Sequence, residues 1–350
     1  MTQRIKQLRS ALPQKNIDAF LVQKDINIAY LTGFPASESW LLVGPRITSY
    51  ITDFRYIFEA RKGLKGISIK QYTKSPYETL FVLAKEQNIK RIGIDERHLT
   101  LSQYKILKGK CPKGIKIIKA DNCVEHFREI KDAGEVARVR KALRIHKQAH
   151  QLLKRIVKPK ISEREIFLKL EKFVKSKGAD FSFDPIVASG PNSCYPHAKV
   201  TDRKIRLNEP VLIDMGIDVG GYKSDLTRMF FLGKIPELVR KVHNHVYRAQ
   251  QKAIEKIRAG ISAAEVDWQA RNYLKEHGLA KYFGHALGHG VGLEIHEDPR
   301  LGQANSAPLR EGMIITIEPA VYIPNKFGIR IEDMVLVTKK GCKVLSDDIN

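Results

Sequence analysis

Four carboxylates and one imidazole in the C-terminal half of the chain have the residue types expected of a metal site. They are Asp214, Asp225, His289, Glu318 and Glu332. Each lies in an apolar strand-like segment or a glycine-rich segment, where an isolated carboxylate would be costly to bury. Such a set could hold two divalent cations that share bridging oxygens, and that arrangement makes a water nucleophilic at neutral pH.

Each of these residues also has a simpler interpretation on its own. A strand aspartate is most often a turn or cap residue. A glutamate before proline, like Glu318, is often on the surface, and His289 could be a loop histidine bonded to backbone. The metal hypothesis therefore depends on the whole set and on how the chain arranges it.

An internal repeat supplies that arrangement. Residues 158–178 match residues 258–278 at an offset of 100, and each copy opens with a Ser-x-x-Glu pattern, at Ser162 and Ser262. This pattern predicts a helix capping box. The helix in each copy is predicted to end at a glycine in the left-handed conformation.

The elements around each copy are predicted to repeat as well. Long helices are expected before the two copies, over 137–156 and 237–257. Paired strands are expected after them, with a turn at 220–221 in the first pair and at 325–328 in the second. These hairpins should place Asp214 opposite Asp225, and Glu318 opposite Glu332. Two hairpins that meet at a pseudo-twofold axis would then create a dinuclear site between them.

Residues 1–130 read as a separate α/β domain. Short apolar runs alternate with helical stretches, which favours a mixed sheet. Strands are predicted in the segments IDAFLV, SWLLVG, SYITD, ISIKQY, RIGID and KIIKA, and helices in RIKQLRSALPQKN, FRYIFEARKG and YETLFVLAKEQN. We therefore expect an N-terminal domain over 1–130 and a catalytic domain over 131–350.

Composition excludes several classes of protein. The 350 residues are 43% hydrophobic and 28% charged, which is typical of a soluble globular protein. The four cysteines show no CxxC pair, so no disulfide framework is expected. The N-terminal segment has no apolar signal region, and no apolar run approaches the ~20 residues needed to cross a bilayer. We expect a cytoplasmic protein without a membrane partner.

The net charge of +23 has two interpretations. Residues 1–130 carry 23 Lys+Arg and 12 Asp+Glu, a net of +11, and residues 131–350 carry the remaining 38 and 26, a net of +12. The excess is thus spread over the chain. A nucleic-acid surface is one interpretation, but no nucleic-acid motif accompanies the charge, so a solvated basic surface is favoured.

The five residues and their flanks resemble the pita-bread metallopeptidases, which include aminopeptidase P, prolidase and methionine aminopeptidase. The resemblance covers residues 131–350 through VLIDMGIDV, YKSDLTRMF, GHALGHGVGLEIH, MIITIEPAVYI and GIRIEDMVLV. It implies a pseudo-twofold catalytic domain, and that all five residues bind two metal ions. It also implies that His197, His285 and His296 line the substrate site and that Arg330 supports it. The family usually has glycine where this chain has Ala286 and Ala320.

The resemblance also implies roles for these residues. Asp225 and Glu332 would bridge the two ions, Asp214 would complete one, and His289 with Glu318 would complete the other. Glu318 would carry the proton of the nucleophile. Oxygen ligands with one imidazole suit Mn²⁺ best, and also Co²⁺ or Zn²⁺. Cys194 lies near His197 but is interpreted as a small buried residue.

A full N-terminal domain and the PHA segment at 196–198 resemble the proline-specific branch of the family. We therefore expect a homodimeric Xaa-Pro aminopeptidase that acts on proline-containing peptides. An Xaa-Pro dipeptidase, or prolidase, is the alternative. A non-enzymatic module that binds nucleic acid or protein is disfavoured because all five ligands are present. A creatinase-like amidinohydrolase is disfavoured because that branch does not keep the metal shell.

Overall fold

The computed structural model of this chain describes residues 2–349. It divides into two compact units, the first ending at Arg128 and the second starting at Glu129. No helix in the described part of the chain combines the length and the apolar character needed to cross a bilayer.

A six-stranded mixed sheet forms the centre of the first unit. Its strands are β1 Ala19–Val22, β2 Trp40–Val43, β3 Thr48–Thr52, β4 Ser68–Gln71, β5 Arg91–Ile94 and β6 Lys116–Lys119. Their order is β4-β3-β2-β1-β5-β6. The β1–β2 and β2–β3 pairs are antiparallel and the other three are parallel. All six predicted strands and the mixed character of the sheet are confirmed.

The described residues of this unit form six α-helices, of which three were predicted. They are α1 Gln3–Ala11, α2 Asp25–Thr32, α3 Ile57–Gly63, α4 Pro76–Glu86, α5 Leu101–Lys110 and α6 Glu125–Arg128. Helix α2 was missed because its less buried face carries the apolar Ile26 and Ala29 while its buried face includes the polar Asn27, so its sequence shows no polar face. Helix α5 was missed although Thr100 and Gln103 form a capping box at its start.

The second unit contains four helices that repeat in order and length. They are α7 Ala133–Ile156, α8 Glu163–Ser176, α9 Glu237–Lys256 and α10 Ala263–Glu276. Helices α8 and α10 begin 100 residues apart and are followed by Gly178 and Gly278, whose φ angles are 66° and 71°. The repeat and its glycine ends are therefore confirmed. Ser162 forms the predicted capping box, whereas Ser262 caps Glu265 N without the return bond.

Short strands form the rest of the second unit. They are β7 Asp180–Phe181, β8 Ile186–Ser189, β9 Pro210–Met215, β10 Ile217–Val219, β11 Tyr222–Lys223, β12 Leu226–Phe231, β13 Gly288–Gly290, β14 Glu297–Leu301, β15 Ile314–Ile317, β16 Ala320–Ile323, β17 Phe327–Arg330, β18 Asp333–Val337 and β19 Cys342–Val344. Helices α9 and α10 pack with β15–β18 in one large apolar core, and residues of α7 and α8 pack with β8 and β9 in another.

The predicted hairpins are both present. In the first, β9–β12 continues into β10–β11 in the same register and closes at Gly220 and Gly221, both with positive φ, as a two-residue turn of this kind requires. In the second, β15–β18 continues into β16–β17 in the same register. Its turn covers residues 324–326, slightly earlier than predicted, because Phe327 and Gly328 already pair in β17.

One predicted pairing is wrong. Asp214 lies opposite Thr227 in the β9–β12 ladder, and Asp225 precedes β12. The two aspartates are therefore diagonal neighbours on one face, at a spacing of roughly 7–8 Å between α-carbons that is typical of such positions. Glu318 and Glu332 do fall opposite each other, in the two-residue gap that separates β15–β18 from β16–β17.

Candidate metal centre and active site

The two hairpins and one further strand bring four of the five predicted ligands together. Ligand atoms of Asp225, His289 and Glu332 all lie within 4.8 Å of one another. His289 Nε2 is 3.6 Å from Asp225 Oδ2 and 3.4 Å from Glu318 Oε1. His289 comes from β13, in the glycine-rich segment, while the carboxylates stand at strand ends in the two hairpins.

Backbone hydrogen bonds hold the two glutamates at the point where the sheets separate. Glu318 N donates to Leu287 O at 2.8 Å, and Glu332 N donates to Thr227 O at 3.3 Å. Glu318 is therefore tied to the residue that precedes β13, and Glu332 is tied to β12 in the hairpin that carries the two aspartates.

Asp214 joins the cluster through an arginine. Arg330 Nη2 donates to Asp214 Oδ2 in a close ion pair, and the guanidinium is almost fully buried. The other carboxylate oxygen, Asp214 Oδ1, is buried and has no hydrogen-bond partner. A buried anionic oxygen without a partner is costly, so this atom is suited to a cation.

The electrostatics of the cluster favour added positive charge. Burial, and then the neighbouring Glu332, raise the pKa of Asp225 well above its usual range. Burial, and then Glu318, raise the pKa of Glu332 in the same direction, and burial raises the pKa of Glu318 to about 8. Arg330 opposes each of these shifts but is a single cation. The residues therefore fit divalent cations, which would neutralise the remaining anionic oxygens.

The imidazole of His289 is oriented as a ligand. Its Nδ1 donates to Gly290 O at 3.1 Å, which leaves the lone pair of Nε2 facing the carboxylates. Burial, and then the neighbouring His296, lower the pKa of His289 to about 4. The ring is therefore neutral at neutral pH, as a metal ligand must be.

Arg330 is bonded to several parts of the site at once. Besides Asp214, its Nε donates to Thr227 Oγ1 at 3.0 Å, and Nη1 donates to Tyr322 Oη at 2.6 Å and to Pro196 O at 3.2 Å. Thr227 in turn donates to Glu332 Oε2 at 2.8 Å. The predicted supporting residue thus connects Asp214 to Glu332 through one threonine hydroxyl.

The three predicted substrate histidines occupy different environments. His285 donates from Nδ1 to Ala286 O at 2.7 Å, and its Nε2 lies 3.3 Å from Tyr322 Oη, so both nitrogens are engaged. Burial lowers the pKa of His285 to about 4. His296 is exposed, with its ring edge-on to His289 at a centroid distance of 4.3 Å. His197 is also exposed and directly follows Pro196, whose carbonyl Arg330 holds.

Glycines in the histidine segment allow the strands to approach closely. A Cβ at Gly288 would lie 2.0 Å from Thr316 O, and one at Gly290 would lie 2.4 Å from Asp298 O. Neither position can take a side chain without moving backbone. Of the two departures noted in the sequence, Ala320 is fully buried and lies opposite Arg330 in the β16–β17 ladder.

Sequence reasoning missed the polar residues that connect the ligands. Thr227 and Tyr322 bond to Arg330, and Thr316 accepts from His289 N at 3.0 Å and donates to Glu318 Oε1 at 3.4 Å. Their only signal was alternation, because Thr227 lies two residues after Asp225 and Thr316 lies two before Glu318. Residues two apart in a strand share a face.

Comparison with known proteins agrees with this geometry. Residues 137–339 match the model of metallopeptidase family M24, and residues 4–130 match the creatinase/prolidase N-terminal domain. The chain is 37% identical to an Xaa-Pro dipeptidase of Pyrococcus horikoshii, over 99% of this chain and 97% of that one.

Solved structures are similar over nearly the whole chain. An Xaa-Pro dipeptidase from Bacillus anthracis superimposes with a TM-score of 0.94 at 34% identity, covering 99% of this chain and 97% of that one. An X-Pro aminopeptidase from Thermotoga maritima superimposes with a TM-score of 0.87 at 32% identity, covering 95% and 96%. The mixed-sheet N-terminal domain and the pita-bread catalytic domain expected from the sequence are confirmed.

Proposed function

This chain belongs to metallopeptidase family M24, and from that premise we propose that it is a metal-dependent exopeptidase that hydrolyses the Xaa-Pro bond at the N-terminus of peptides. The observation that carries the proposal is the buried cluster of Asp225, His289, Glu318 and Glu332, with Asp214 held beside it by Arg330. Relatives named for Xaa-Pro cleavage support the proline preference.

We propose that five side chains hold two divalent ions. Asp225 and Glu332 would be shared by both ions, Asp214 would complete one, and His289 with Glu318 would complete the other. Mn²⁺ is the ion this donor set suits best, with Co²⁺ and Zn²⁺ as substitutes. When bound, such ions lower the pKa of a water and stabilise negative charge on a carbonyl oxygen.

The chain itself supplies orientation and proton transfer. Thr227 and Arg330 hold the carboxylates of Glu332 and Asp214, so that their oxygens keep one direction during turnover. The Glu318 carboxylate takes the proton of the attacking water and passes it to the leaving nitrogen. His197 and His296 donate hydrogen bonds to the tetrahedral intermediate, and His285 positions the substrate.

The length of the substrate is the finer question. Our proposal is the aminopeptidase activity, which releases the N-terminal residue from a longer peptide. The second candidate is an Xaa-Pro dipeptidase, which is favoured by the name of the Pyrococcus relative and of the Bacillus structure. A dipeptidase must recognise the free carboxylate of its proline, whereas an aminopeptidase must leave room for further residues.

One experiment separates these candidates. Protein reconstituted with Mn²⁺ is incubated with Gly-Pro, with a longer X-Pro-Y-Z peptide, and with the same peptide carrying alanine in place of proline. Products are followed by mass spectrometry. Cleavage of the longer proline peptide supports an aminopeptidase, and cleavage of Gly-Pro alone supports a dipeptidase. Equal cleavage of the alanine peptide, or no cleavage with metal bound, would overturn the proline assignment.

We also propose a homodimer in the cytoplasm, on the strength of the family resemblance and of the sequence features described above. Light scattering during size-exclusion chromatography tests the first statement, since a mass near the 39.8 kDa of one chain would contradict it. Cell fractionation tests the second.

A further inference from the structure

The ladder of the second hairpin is interrupted where its two glutamates stand. Strand β15 ends at Ile317 and β18 begins at Asp333, while β16 and β17 resume the pairing at Ala320 and Arg330. The register is unchanged across the gap. As in any non-hydrogen-bonded pair, the amides of Glu318 and Glu332 point away from the partner strand and donate to Leu287 O and Thr227 O, so neither contributes a bond to the ladder.

A proline in the gap removes another donor. Ile331 N donates to Pro319 O at 3.4 Å, and this marks the two residues as a hydrogen-bonded pair of the ladder. In such a pair the N–H of residue 319 would donate back to Ile331 O. Proline has no N–H, so Ile331 O needs a donor from elsewhere.

That donor comes from the middle of helix α9. Gln250 is fully buried, and its Nε2 lies 3.2 Å from Ile331 O, 3.0 Å from Ile317 O and 3.0 Å from Asp333 Oδ2. An amide group has two N–H bonds, so three acceptors require one shared hydrogen. The acceptors fix the orientation of the amide, because an oxygen at this position would face three other oxygens.

These acceptors are the neighbours of the two glutamates. Ile317 directly precedes Glu318, Ile331 directly precedes Glu332, and Asp333 directly follows it. One amide group therefore bonds to both strands of the gap, at the residues next to Glu318 and Glu332. Asp333 is itself anchored, since its Oδ1 accepts from Arg228 Nη2 and from Ser346 Oγ, each at 2.7 Å.

We propose that Gln250 is a positioning residue for the metal site: it replaces the missing amide donor of Pro319 and thereby sets the spacing of the Glu318 and Glu332 carboxylates. The inference rests on the proposed function only in taking these two residues as metal ligands. It assigns Gln250 no contact with substrate and no part in proton transfer.

The first hairpin is also interrupted, at Gly216 and Asp225, but its gap contains no proline. The residue of α7 that corresponds to Gln250 at the 100-residue offset is His150, whose ring lies tilted against that of Phe230 at a centroid distance of 5.3 Å. The β9–β12 ladder next to it runs without a gap from the pair Pro210–Phe231 to the pair Met215–Leu226. In the gap that follows, Ser224 N donates to Ile217 O at 2.8 Å and Ile217 N donates to Ser224 Oγ at 3.1 Å, so the Ile217 carbonyl keeps a backbone donor.

The test replaces Gln250 by methionine, which matches its length and helix propensity but has no N–H. Its matched control is Val246→Ala, which creates a cavity on the same buried face of α9 and leaves the Gln250 amide in place. Mn²⁺ binding is measured by titration calorimetry, and the visible spectrum of the Co²⁺-loaded protein reports ligand geometry. We expect Gln250→Met to weaken metal binding roughly 10- to 100-fold and to change the Co²⁺ spectrum. We expect Val246→Ala to lower the melting temperature with neither effect.

Two further variants make the result decisive. Gln250→Asn keeps an amide but is one methylene shorter, so it should also weaken Mn²⁺ binding. Pro319→Ala restores the backbone donor, so in the Gln250→Met background it should recover part of the lost affinity. If Pro319→Ala recovers no Mn²⁺ affinity in that background, Gln250 does not replace the backbone N–H that Pro319 lacks. If Gln250→Met lowers only the melting temperature, as Val246→Ala does, Gln250 is structural and the proposal is wrong.

These readouts do not depend on the substrate. If the wild-type protein binds Mn²⁺ but cleaves no Xaa-Pro peptide, the proposed specificity fails while the role of Gln250 is still decided by the titrations and spectra. If Xaa-Pro cleavage is found and Gln250→Met binds metal normally, only the role of Gln250 fails.

Discussion

Glu125 in the first unit should make folding stability depend on pH in acid. Its Oε1 lies 2.6 Å from His98 Nε2 and accepts from Asn27 Nδ2 at 2.7 Å, and Arg97 Nη2 lies 3.6 Å from its other oxygen. Burial alone would raise the pKa of Glu125, but the bonds from His98 and Asn27 outweigh it and lower this pKa to about 2. The carboxylate therefore remains ionised in the folded protein far below its ordinary pKa.

The magnitude follows from the difference between the folded and unfolded pKa. The ordinary value is 4.5 and the folded value is about 2. At about 1.4 kcal/mol per pH unit, ionised Glu125 contributes about 3 kcal/mol to the free energy of unfolding. Because the folded pKa is the lower one, this contribution is complete above pH ~4.5 and is lost as the pH falls toward ~2.

The perturbation is Glu125→Gln, measured by urea unfolding from pH 7 to pH 2.5. The chain has two tryptophans, and Trp40 lies in the first unit, 4.8 Å from the ring of Tyr77. Trp268, in the second unit, is 56% exposed, so a Trp268→Phe background makes fluorescence report on the first unit alone. The exposed Glu86→Gln serves as control.

We expect Glu125→Gln to be less stable than wild type by up to about 3 kcal/mol at pH 6 to 7, with the difference shrinking steadily below pH ~4.5. Glu86→Gln should follow the wild type throughout. A difference that stays constant down to pH 2.5 would show that Glu125 acts through packing and not through its charge, and would refute the reasoning.

Four further outcomes concern the metal site and the strands around it. Mn²⁺ at about a hundred times its dissociation constant should stabilise the second unit by about 2.7 kcal/mol per site, and EDTA should reverse this, as differential scanning calorimetry can show. Asp225→Asn should abolish peptide cleavage, because it removes the proposed bridging carboxylate. The circular dichroism spectrum should be unchanged, because the loss of one negative charge relieves repulsion among the buried carboxylates. Arg330→Met should cost about 3–5 kcal/mol in denaturant unfolding of the metal-free protein, because it leaves Asp214 as an unpaired buried charge. Gly288→Ala should yield largely insoluble or destabilised protein in a thermal-shift assay, because its Cβ would meet Thr316 O.

Gly288→Ala has a matched control, and each of the four outcomes has a result that would contradict it. Gly284→Ala has open space around the new Cβ and should melt like the wild type. If Gly288→Ala also melts like the wild type, the strands do not need their close approach. Retained cleavage in Asp225→Asn would contradict the bridging role. A melting temperature that does not respond to Mn²⁺ would contradict the metal site itself. Full stability of Arg330→Met would show that its partners are satisfied without it.

Much of the fold follows from local signals. The six strands of the first unit are short, apolar runs, and their period and composition identify them. Helix α2 lacks a clear helical signal because Ile26 and Ala29 make its less buried face apolar and Asn27 lies on its buried face. In the second unit the repeated Ser-x-x-Glu pattern and the two glycines place helices that the structure confirms.

The candidate ligands were identifiable because carboxylates are rare inside apolar strands. The residue that lies opposite each of them in its hairpin could not be predicted, because the register depends on which residues form the turn and the first pair of the ladder. The β9–β12 register placed Thr227, and not Asp225, opposite Asp214. The same limit explains why Thr227 was missed, since a strand threonine is common and becomes informative only when its neighbours are known.

The sequence by itself indicated the candidate ligands, the two-domain order and the duplication, because each of these depends on residue identity and local spacing. Only the tertiary structure decided that Arg330 joins Asp214 to Thr227, and that Gln250 on a distant helix holds the strands at Glu318 and Glu332. Such bonds join residues more than sixty positions apart in the chain, and they arise because buried carbonyls and carboxylates must find a partner wherever the packed elements provide one.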